Sequence, residues 1–243
     1  VTGIRDRVTF AAPGTHSYES PVWSPDGRRI AYAFQVNDSM RVHAKTLETG
    51  ADALLLVRHH HHHLQDWSPD AAWLLIQEEH PERGADQVAV RLDSTAAVVP
   101  VAATAATEQS GRFSPDGRWI AYHSDESGRN EVYVIAFPSA DGRQQVSSDG
   151  GRLPRWSRTG GELFYWRDST LMAVRVTTSS GGFRREVPTP LFAMADADPT
   201  YSKWDVSADG RRFLIAGLNP DAPGREIHVV LNWNATLRQP DRE

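Results

Sequence analysis

Five consecutive histidines, His59–His63, are the most unusual chemical feature of this 243-residue chain. Neutral imidazole nitrogens bind Zn²⁺, Ni²⁺ and Cu²⁺ well, and a flexible loop lets several of them surround one ion. The run therefore predicts a zinc or nickel site as one interpretation, while no other motif requires a cofactor. A solvated low-complexity loop and an engineered insertion are the competing interpretations.

A second polar stretch, Asp125-Glu126-Ser127-Gly128-Arg129-Asn130, has the carboxylate and amide oxygens of a calcium loop. It lacks the alternating oxygen ligands and the closing glutamate of an EF-hand. Its composition therefore favours a hairpin loop with local hydrogen bonds.

The common catalytic motifs of hydrolases are missing from the sequence. There is no cysteine and no Gly-x-Ser-x-Gly elbow, and Glu78-Glu79-His80 has no second histidine at helical spacing. These observations argue against thiol, serine-hydrolase and zincin chemistry.

The elements that must position these residues repeat along the chain. A motif related to Trp-Ser-Pro-Asp-Gly occurs in five versions, spaced by 43 to 50 residues. A period in the forties is typical of a four-stranded propeller blade. Proline presets φ, aspartate caps its local backbone and glycine takes a positive φ, so the motif aspartates are predicted to be structural. The five versions begin at Trp23, Trp67, Phe113, Trp156 and Val206.

Each motif is followed by a half-buried strand such as Trp119–Tyr122, then by a third strand such as Glu131–Ile135 and usually by a fourth such as Ala53–Val57. The sequence therefore predicts an all-β propeller of five four-stranded blades, in one domain over residues 1–243. The last blade lacks a fourth strand, and Arg7–Phe10 is predicted to complete it and close the ring. The predicted blades span approximately 17–57, 64–104, 109–147, 152–193 and 201–233.

Charge is concentrated at the position just before the recurring aromatic residue, which reads Val22, Asp66, Arg112, Arg155 and Asp205. Adjacent blades are expected to place Asp66 beside Arg112 and Arg155 beside Asp205. Two carboxylates near a channel would suit a carbohydrate hydrolase. A neighbouring arginine lowers a carboxyl pKa, whereas a general acid needs a raised one. Ion pairs between blades are therefore the favoured interpretation.

The recurring aromatic residues are expected to pack as wedges between blades, because each can bury a large apolar area. They are Trp23, Trp67, Phe113 and Trp156. Trp204 lies outside this position, ahead of the fifth inner strand, and is predicted to reach the ligand-facing mouth.

Several stretches resemble one known family. Phe113–Val134, Gly161–Tyr165, Leu171–Val174, Trp204–Ile215 and Val229–Trp233 resemble the TolB-like, WD-repeat-like propeller at the C-terminus of many bacterial eukaryotic-like serine/threonine protein kinases. The resemblance covers nearly the whole chain. It implies a non-catalytic sensor or interaction propeller, placed outside the cytoplasm across a transmembrane helix from the kinase domain. The chain has none of the kinase motifs, so kinase activity would lie outside it.

Composition limits the partners. The chain has 26 Lys+Arg against 31 Asp+Glu, with a formal net charge of −5, which argues against nucleic acid as the main partner. No apolar run approaches the ~20 residues of a membrane span. No secretion signal is visible at Val1–Phe10, and the abrupt start suggests a piece of a longer protein.

The predicted function is binding of a partner protein, a peptide or a small polar ligand in the funnel of the propeller. A five-bladed carbohydrate hydrolase and a scaffold with a plugged funnel are the alternatives. A monomer is expected because a closed ring leaves no free strand edge. The predicted binding face comprises the histidine run together with Gln65, Asp66, Gln109, Arg112, Asp125, Glu126, Arg129, Asn130, Arg155 and Trp204.

Overall fold

A computed structural model of the protein describes residues 16–37, 39–59, 62–82, 84–93, 95–179, 182–194, 204–216 and 227–230. All regular secondary structure in these residues is β-strand, which confirms the predicted all-β class. Over the same ranges there is no helix long and apolar enough to cross a membrane. The strands are β1 (His16–Trp23), β2 (Arg29–Val36), β3 (Ser39–Thr46), β4 (Asp52–Arg58), β5 (His62–Trp67), β6 (Trp73–His80), β7 (Gly84–Arg91), β8 (Val98–Ala102), β9 (Glu108–Phe113), β10 (Trp119–Ser124), β11 (Glu131–Ala136), β12 (Gln144–Gln145), β13 (Arg152–Trp156), β14 (Glu162–Arg167), β15 (Thr170–Ser179), β16 (Gly182–Arg185), β17 (Thr189–Ala193), β18 (Trp204–Val206), β19 (Phe213–Ala216) and β20 (Ile227–Val230).

These strands form five antiparallel sheets whose strand order follows the chain. The sheets are β1–β4, β5–β8, β9–β12, β13–β17 and β18–β20, and we call them blades 1 to 5. The first strands of blades 1 to 4 contact one another in sequence order, so the sheets radiate from a common axis. The predicted propeller fold is thereby confirmed. The strand Arg7–Phe10, predicted to complete blade 5, lies outside the described residues.

The motif aspartates fix the turn between the first and second strands of a blade. In blade 1, Ser24 Oγ donates to Asp26 Oδ1 (2.6 Å), and the Arg28 N–H donates to the same oxygen (3.0 Å). The Ser24 hydrogen bond is the main cause of the lowered pKa of Asp26. The predicted structural role of these aspartates is confirmed. The same serine-to-aspartate bond recurs in Ser68–Asp70, Ser114–Asp116 and Ser207–Asp209.

Apolar clusters between successive blades form the core. Trp67, Phe113 and Trp156 are 4%, 5% and 7% exposed, and each belongs to a cluster shared with the preceding blade. Trp156 Nε1 also donates to the Arg112 carbonyl oxygen of blade 3 (3.1 Å). The prediction of aromatic wedges is correct for these three residues.

Trp23 departs from this pattern, because its side chain is 59% exposed. The other three wedges are covered by the blade that precedes them in sequence. For blade 1 that neighbour would be the blade that closes the ring, and the described residues bury less than half of Trp23. The prediction that Trp23 is a buried wedge is therefore wrong for this structure.

Blade 4 has two strands at its outer edge. β17 pairs with Thr170–Ala173 of β15, and β16 pairs with Val176–Ser179, so β15 extends beyond the blade as a hairpin. Phe183 of this hairpin is buried against Trp119 of blade 3, with ring centroids 5.6 Å apart. The hairpin thus reinforces the contact between blades 3 and 4.

Candidate functional site

The first strands of the blades, which line the axis, carry an irregularity at one repeat position. The pairing of β1, β5, β9 and β13 with the next strand shifts register there. Ser20, Ser110 and Leu153 occupy this position with φ values of 47°, 58° and 54°. Positive φ is costly for residues other than glycine, and such strain concentrates at functional sites. A β-bulge also redirects the side chains beside it.

The bulges explain how consecutive residues of one strand line one cavity. Ser20, Pro21 and Val22 all face it, whereas a regular strand would present every second residue. The cavity has a volume of about 620 Å³ and lies among the first strands of blades 1 to 4. Its lining comprises Ser20, Pro21, Val22, His63, Leu64, Gln65, Gln77, Gln109, Ser110, Arg112, His123, Asn130, Arg152, Leu153 and Arg155.

Five members of the predicted binding face line this cavity together with one residue of the histidine run. Those five are Gln65, Gln109, Arg112, Asn130 and Arg155. They come from three different blades and from a loop, and the propeller geometry brings them to one opening. Aligning the repeats located Arg112 and Arg155, while Asn130 was predicted from its polar loop.

Asp66 bridges blades 2 and 3 through backbone bonds. Its Oδ1 accepts from the Trp67 N–H and its Oδ2 from the Phe113 N–H, both at 2.9 Å. Burial raises the pKa of Asp66, while Arg112 and the two N–H groups act in the opposite direction. The expectation that the arginine would dominate the pKa of this carboxyl is therefore wrong, because desolvation of the carboxyl outweighs the charge of Arg112.

Arg112 and Arg155 are held by carbonyl oxygens. Arg112 Nη1 donates to the carbonyl oxygens of Gln65 and Gly111, and Arg155 Nη1 donates to that of Pro154 (2.9 Å). The predicted pairs Asp66–Arg112 and Arg155–Asp205 are not direct ion pairs within 4 Å among the described residues. The four charges interact over longer distances.

Burial lowers the pKa of both arginines. For Arg155 the value is about 9, because burial and then the charge of Arg112 disfavour its protonated form. Asp205 and Asp66 offset only part of this effect. Two arginines thus face one cavity, and a pKa of about 9 keeps Arg155 protonated at neutral pH.

Trp204 does not reach the mouth of the propeller, contrary to the prediction. Its side chain is 4% exposed and packs against Trp166 and Phe213 in the core between blades 4 and 5. Its ring lies 5.6 Å from the Arg155 guanidinium carbon, and its Nε1 donates to the Leu153 carbonyl oxygen (3.2 Å). Trp204 therefore supports the arginine and the strained bulge from behind.

Most of the loop after β10 lies outside the cavity. Asp125 accepts from the Thr107 N–H (2.8 Å), and Glu126 pairs with Arg143. Arg129 donates to Glu131 Oε1 (2.8 Å) and to a carbonyl oxygen of the next loop. These bonds match the hairpin interpretation of the loop, and they show why three of its predicted site residues hold structure instead of lining the funnel.

Two ionisable residues of the cavity wall, Arg152 and His123, escaped the sequence analysis. Arg152 lies at the repeat position of His63 and Gln109, four residues before the aromatic wedge. When the Asn130 side-chain oxygen faces Arg152, it accepts hydrogen bonds from Arg152 Nε (3.2 Å) and Nη2 (3.1 Å). His123 lies at the position of Gln77 in the second strand of its blade. Comparing these two repeat positions would have revealed both.

The histidine run enters the fold at the start of β5. His59 is exposed, and His60 and His61 lie outside the described residues. His62 is buried while His63 lines the cavity and its Nε2 lies 3.1 Å from Glu79 Oε1. Successive residues of a strand point to opposite faces, so His62 and His63 do not converge on one ion. Over the described ranges no three His, Asp or Glu side chains form a metal cluster.

Comparison with known proteins finds solved structures with a similar fold. The chain is similar to TolB from Acinetobacter baumannii, with a TM-score of 0.65 and 17% identity over 89% of this chain and 52% of that one. The chain is also similar to an oligogalacturonate lyase in complex with manganese, with a TM-score of 0.65 and 14% identity over 96% of this chain and 70% of that one. The periplasmic gluconolactonase of Pseudomonas aeruginosa has a TM-score of 0.55 and 14% identity, over 88% of this chain and 72% of that one.

At these identities the solved structures show a shared fold and not a shared activity. The chain spans about half the length of the Acinetobacter TolB chain. The family evidence comes from sequence, because the profile of the TolB beta propeller domain matches residues 6–203. That match covers most of the 243 residues, including all four blades that line the cavity. The chain therefore belongs to the TolB β-propeller domain family.

Proposed function

We propose that this chain is a non-catalytic binding propeller that captures a small polar ligand, or a short segment of a partner protein, in the axial cavity. The observation that carries the proposal is the lining itself. Side chains from four blades converge on about 620 Å³ of open space, within the usual size of ligand pockets. Arginine, glutamine, asparagine and histidine supply polar groups at its wall.

The strained backbone supports this proposal. Bulges at one repeat position in four adjacent blades keep consecutive side chains turned toward the axis, at the cost of three non-glycine residues with positive φ. Strain of this kind persists where the surrounding structure holds it, and it often belongs to a binding site. A plugged scaffold would not need it.

The sensor role follows from the resemblance to kinase-linked propellers. We propose that the chain reports ligand or partner binding from outside the cytoplasm, as a monomer. The periplasmic gluconolactonase offers an example of the fold in that compartment. Fusion of the natural gene to a reporter enzyme that is active only outside the cytoplasm tests the location, and an inactive reporter in cells that accumulate the fused protein would refute it.

Ligand screening tests the binding function. A panel of neutral and charged polar metabolites is added to the purified protein, and the melting temperature is measured. Compounds that stabilise the wild-type protein should not stabilise Gln109→Trp or His63→Trp, because an indole at either position fills the cavity. Thr177→Trp on the exposed face of β15 is the control and should respond like the wild type.

Two results would overturn the proposal. One is that no compound shifts the melting temperature, which would favour a scaffold. The other is that the cavity variants bind as well as the wild type. Mass spectrometry of each bound compound decides between binding and catalysis, since a binding module returns the compound unchanged.

A hydrolase or lyase is the second candidate function, because the pKa of Asp66 is raised as a general acid requires. The fold is also used by the lyase and the lactonase described above. Against it, both carboxylate oxygens of Asp66 already accept backbone N–H bonds. If Asp66 is catalytic, Asp66→Asn abolishes turnover of a cleaved carbohydrate or lactone while binding persists. If Asp66 is structural, the substitution lowers stability and no turnover exists to lose.

A further inference from the structure

We propose that the ligand of the axial cavity is a small multivalent oxyanion, whose carboxylate or phosphate groups bind between Arg112 and Arg155 with Arg152 at the rim. This inference rests on the proposed binding function and names the chemical class of the ligand. It begins with the charge of the lining. Three arginines face the cavity, and the described residues that line it include no aspartate or glutamate.

His123, which also lines the cavity, does not add to the charge of the arginines. His123 is 4% exposed, and burial followed by the charge of Arg152 lowers its pKa to about 4. It is therefore an uncharged imidazole at neutral pH. His63 also lines the cavity, with its Nε2 3.1 Å from Glu79 Oε1. The remaining polar wall groups, apart from the arginines, are amides and hydroxyls, which suit the hydroxyl or carbonyl groups of a ligand rather than its charge.

Asp66 and Asp205 are the two carboxylates that act electrostatically on Arg112 and Arg155, and both accept backbone hydrogen bonds. Both oxygens of Asp66 accept backbone N–H bonds, and Oδ1 of the exposed Asp205 accepts from the Val206 N–H (2.8 Å). Neither carboxylate lies within 4 Å of a guanidinium nitrogen of Arg112 or Arg155 among the described residues. The arginine pair is thus only partly compensated by the protein, and a bound anion would complete the balance.

Both guanidinium groups are preorganised. The carbonyl oxygens of Gln65 and Gly111 fix Arg112, while the Pro154 carbonyl oxygen and the Trp204 ring fix Arg155. A planar guanidinium held in place can donate two parallel hydrogen bonds to a carboxylate or phosphate. Binding an anion here would cost little side-chain entropy, since the protein has already ordered its donors.

The test uses citrate, inorganic phosphate and the uncharged polyol xylitol at matched ionic strength, with isothermal titration calorimetry and thermal unfolding of the full chain. We expect citrate or phosphate, but not xylitol, to bind and to raise the melting temperature. The difference in affinity between citrate and phosphate identifies the preferred oxyanion. Added potassium chloride should weaken the binding because the contact is electrostatic.

Substitutions locate the site. Arg155→Gln and Arg152→Gln should each weaken anion binding by about tenfold or more, the size of a lost charged hydrogen bond. Arg175→Gln, on the exposed surface of β15, is the matched control and should bind like the wild type. Without ligand, Arg155→Gln should melt no lower than the wild type, because it removes a like charge from beside Arg112. If this variant does not fold, Arg152→Gln at the exposed rim decides the question.

The outcomes separate this inference from the proposed function. Neutral ligands that bind in the cavity while both anions fail would overturn the oxyanion inference and leave the binding function standing. Failure of every ligand would overturn both. Anion binding that is equally strong in Arg152→Gln and Arg155→Gln would show an adventitious ion only and would refute the site.

Discussion

At the scale of single residues, the cavity depends on side chains that the protein holds in uncommon states. His123 is the clearest example, since it is buried at the cavity wall, where the Leu153 N–H approaches its Nδ1 at 3.5 Å. Burial and the charge of Arg152 keep its imidazole neutral, and Asp125 offsets only part of their effect. Protonation would therefore disturb the wall and the bulge together.

A pH dependence follows for His123. Its imidazole protonates near pH 6.5 in the unfolded chain and at about 4 in the folded protein. The unfolded state therefore binds more protons in this window, so His123 makes stability fall as the pH drops from about 6.5 toward 4, by up to about 3 kcal/mol.

Urea unfolding at several pH values, compared between the wild type and His123→Gln, measures this contribution. The glutamine variant should lose less stability between pH 7 and pH 4.5. His43→Gln on blade 1 is the control for replacing a histidine outside the cavity, and there the histidine Nδ1 lies 2.9 Å from Asp52 Oδ1. Parallel pH profiles for the wild type and His123→Gln would contradict the prediction.

Metal binding by the histidine run remains a prediction at the residue scale. Zn²⁺ or Ni²⁺ should raise the melting temperature at pH 7.5, and the effect should fade near pH 5.5 as the imidazoles protonate. Because His62 is buried and His63 contacts Glu79, serine is best introduced only at His59, His60 and His61. A metal-dependent shift that survives this triple replacement would exclude His59, His60 and His61 as the ligands.

At the scale of elements, the repeated turn shows how one backbone shape accepts different residues. The motif glycines Gly27, Gly117, Gly160 and Gly210 have φ values of 68°, 70°, 74° and 68°. In blade 2 the same position is occupied by Ala71, with a φ of 59°. An L-residue with a Cβ is strained there, whereas glycine is not.

Ala71→Gly should therefore stabilise the protein. Relief of the left-handed conformation is worth about 1–2 kcal/mol, and the greater freedom of glycine in the unfolded chain removes about 0.4–1 kcal/mol of that gain. Chemical denaturation should show a small net increase in the unfolding free energy. The reverse substitution Gly117→Ala should lower it, and a destabilised Ala71→Gly would mean that the turn is not strained.

At the scale of the whole molecule, stability resides in the contacts between successive blades. Trp156 is 7% exposed between blades 3 and 4, while Trp23, at the same repeat position, is 59% exposed. Trp156→Ala should cost about 3–5 kcal/mol, as truncation of buried tryptophans does. Trp23→Ala should cost less than about 1 kcal/mol, as expected for an exposed side chain.

Urea denaturation of the two variants compares these positions directly. Equal losses would show that Trp23 is covered in solution, which would point to a closed ring. Unequal losses in the expected order would show that the contact before blade 1 contributes little to stability.

Most of the fold could be predicted from the repeat. The spacing of the Trp-Ser-Pro-Asp-Gly turns predicted the length of a blade, and the aromatic residue of each turn predicted the wedges between blades. The repeat also located Arg112 and Arg155 through their shared position. Arg152 and His123 share repeat positions with Gln109 and Gln77, so the repeat contained a signal for them too, but only the bulges and the packing between blades show that these positions reach the cavity. The burial of Trp204 likewise depends on contacts with Trp166 that no local pattern encodes.

The bulges of the inner strands have a consequence for how such a protein can change over time. The same register shift recurs in four blades, while the side chains presented there differ from blade to blade. Each blade thus controls its own sector of the cavity wall. A substitution in one sector can alter selectivity without moving the others, so new recognition can evolve one blade at a time on an unaltered frame.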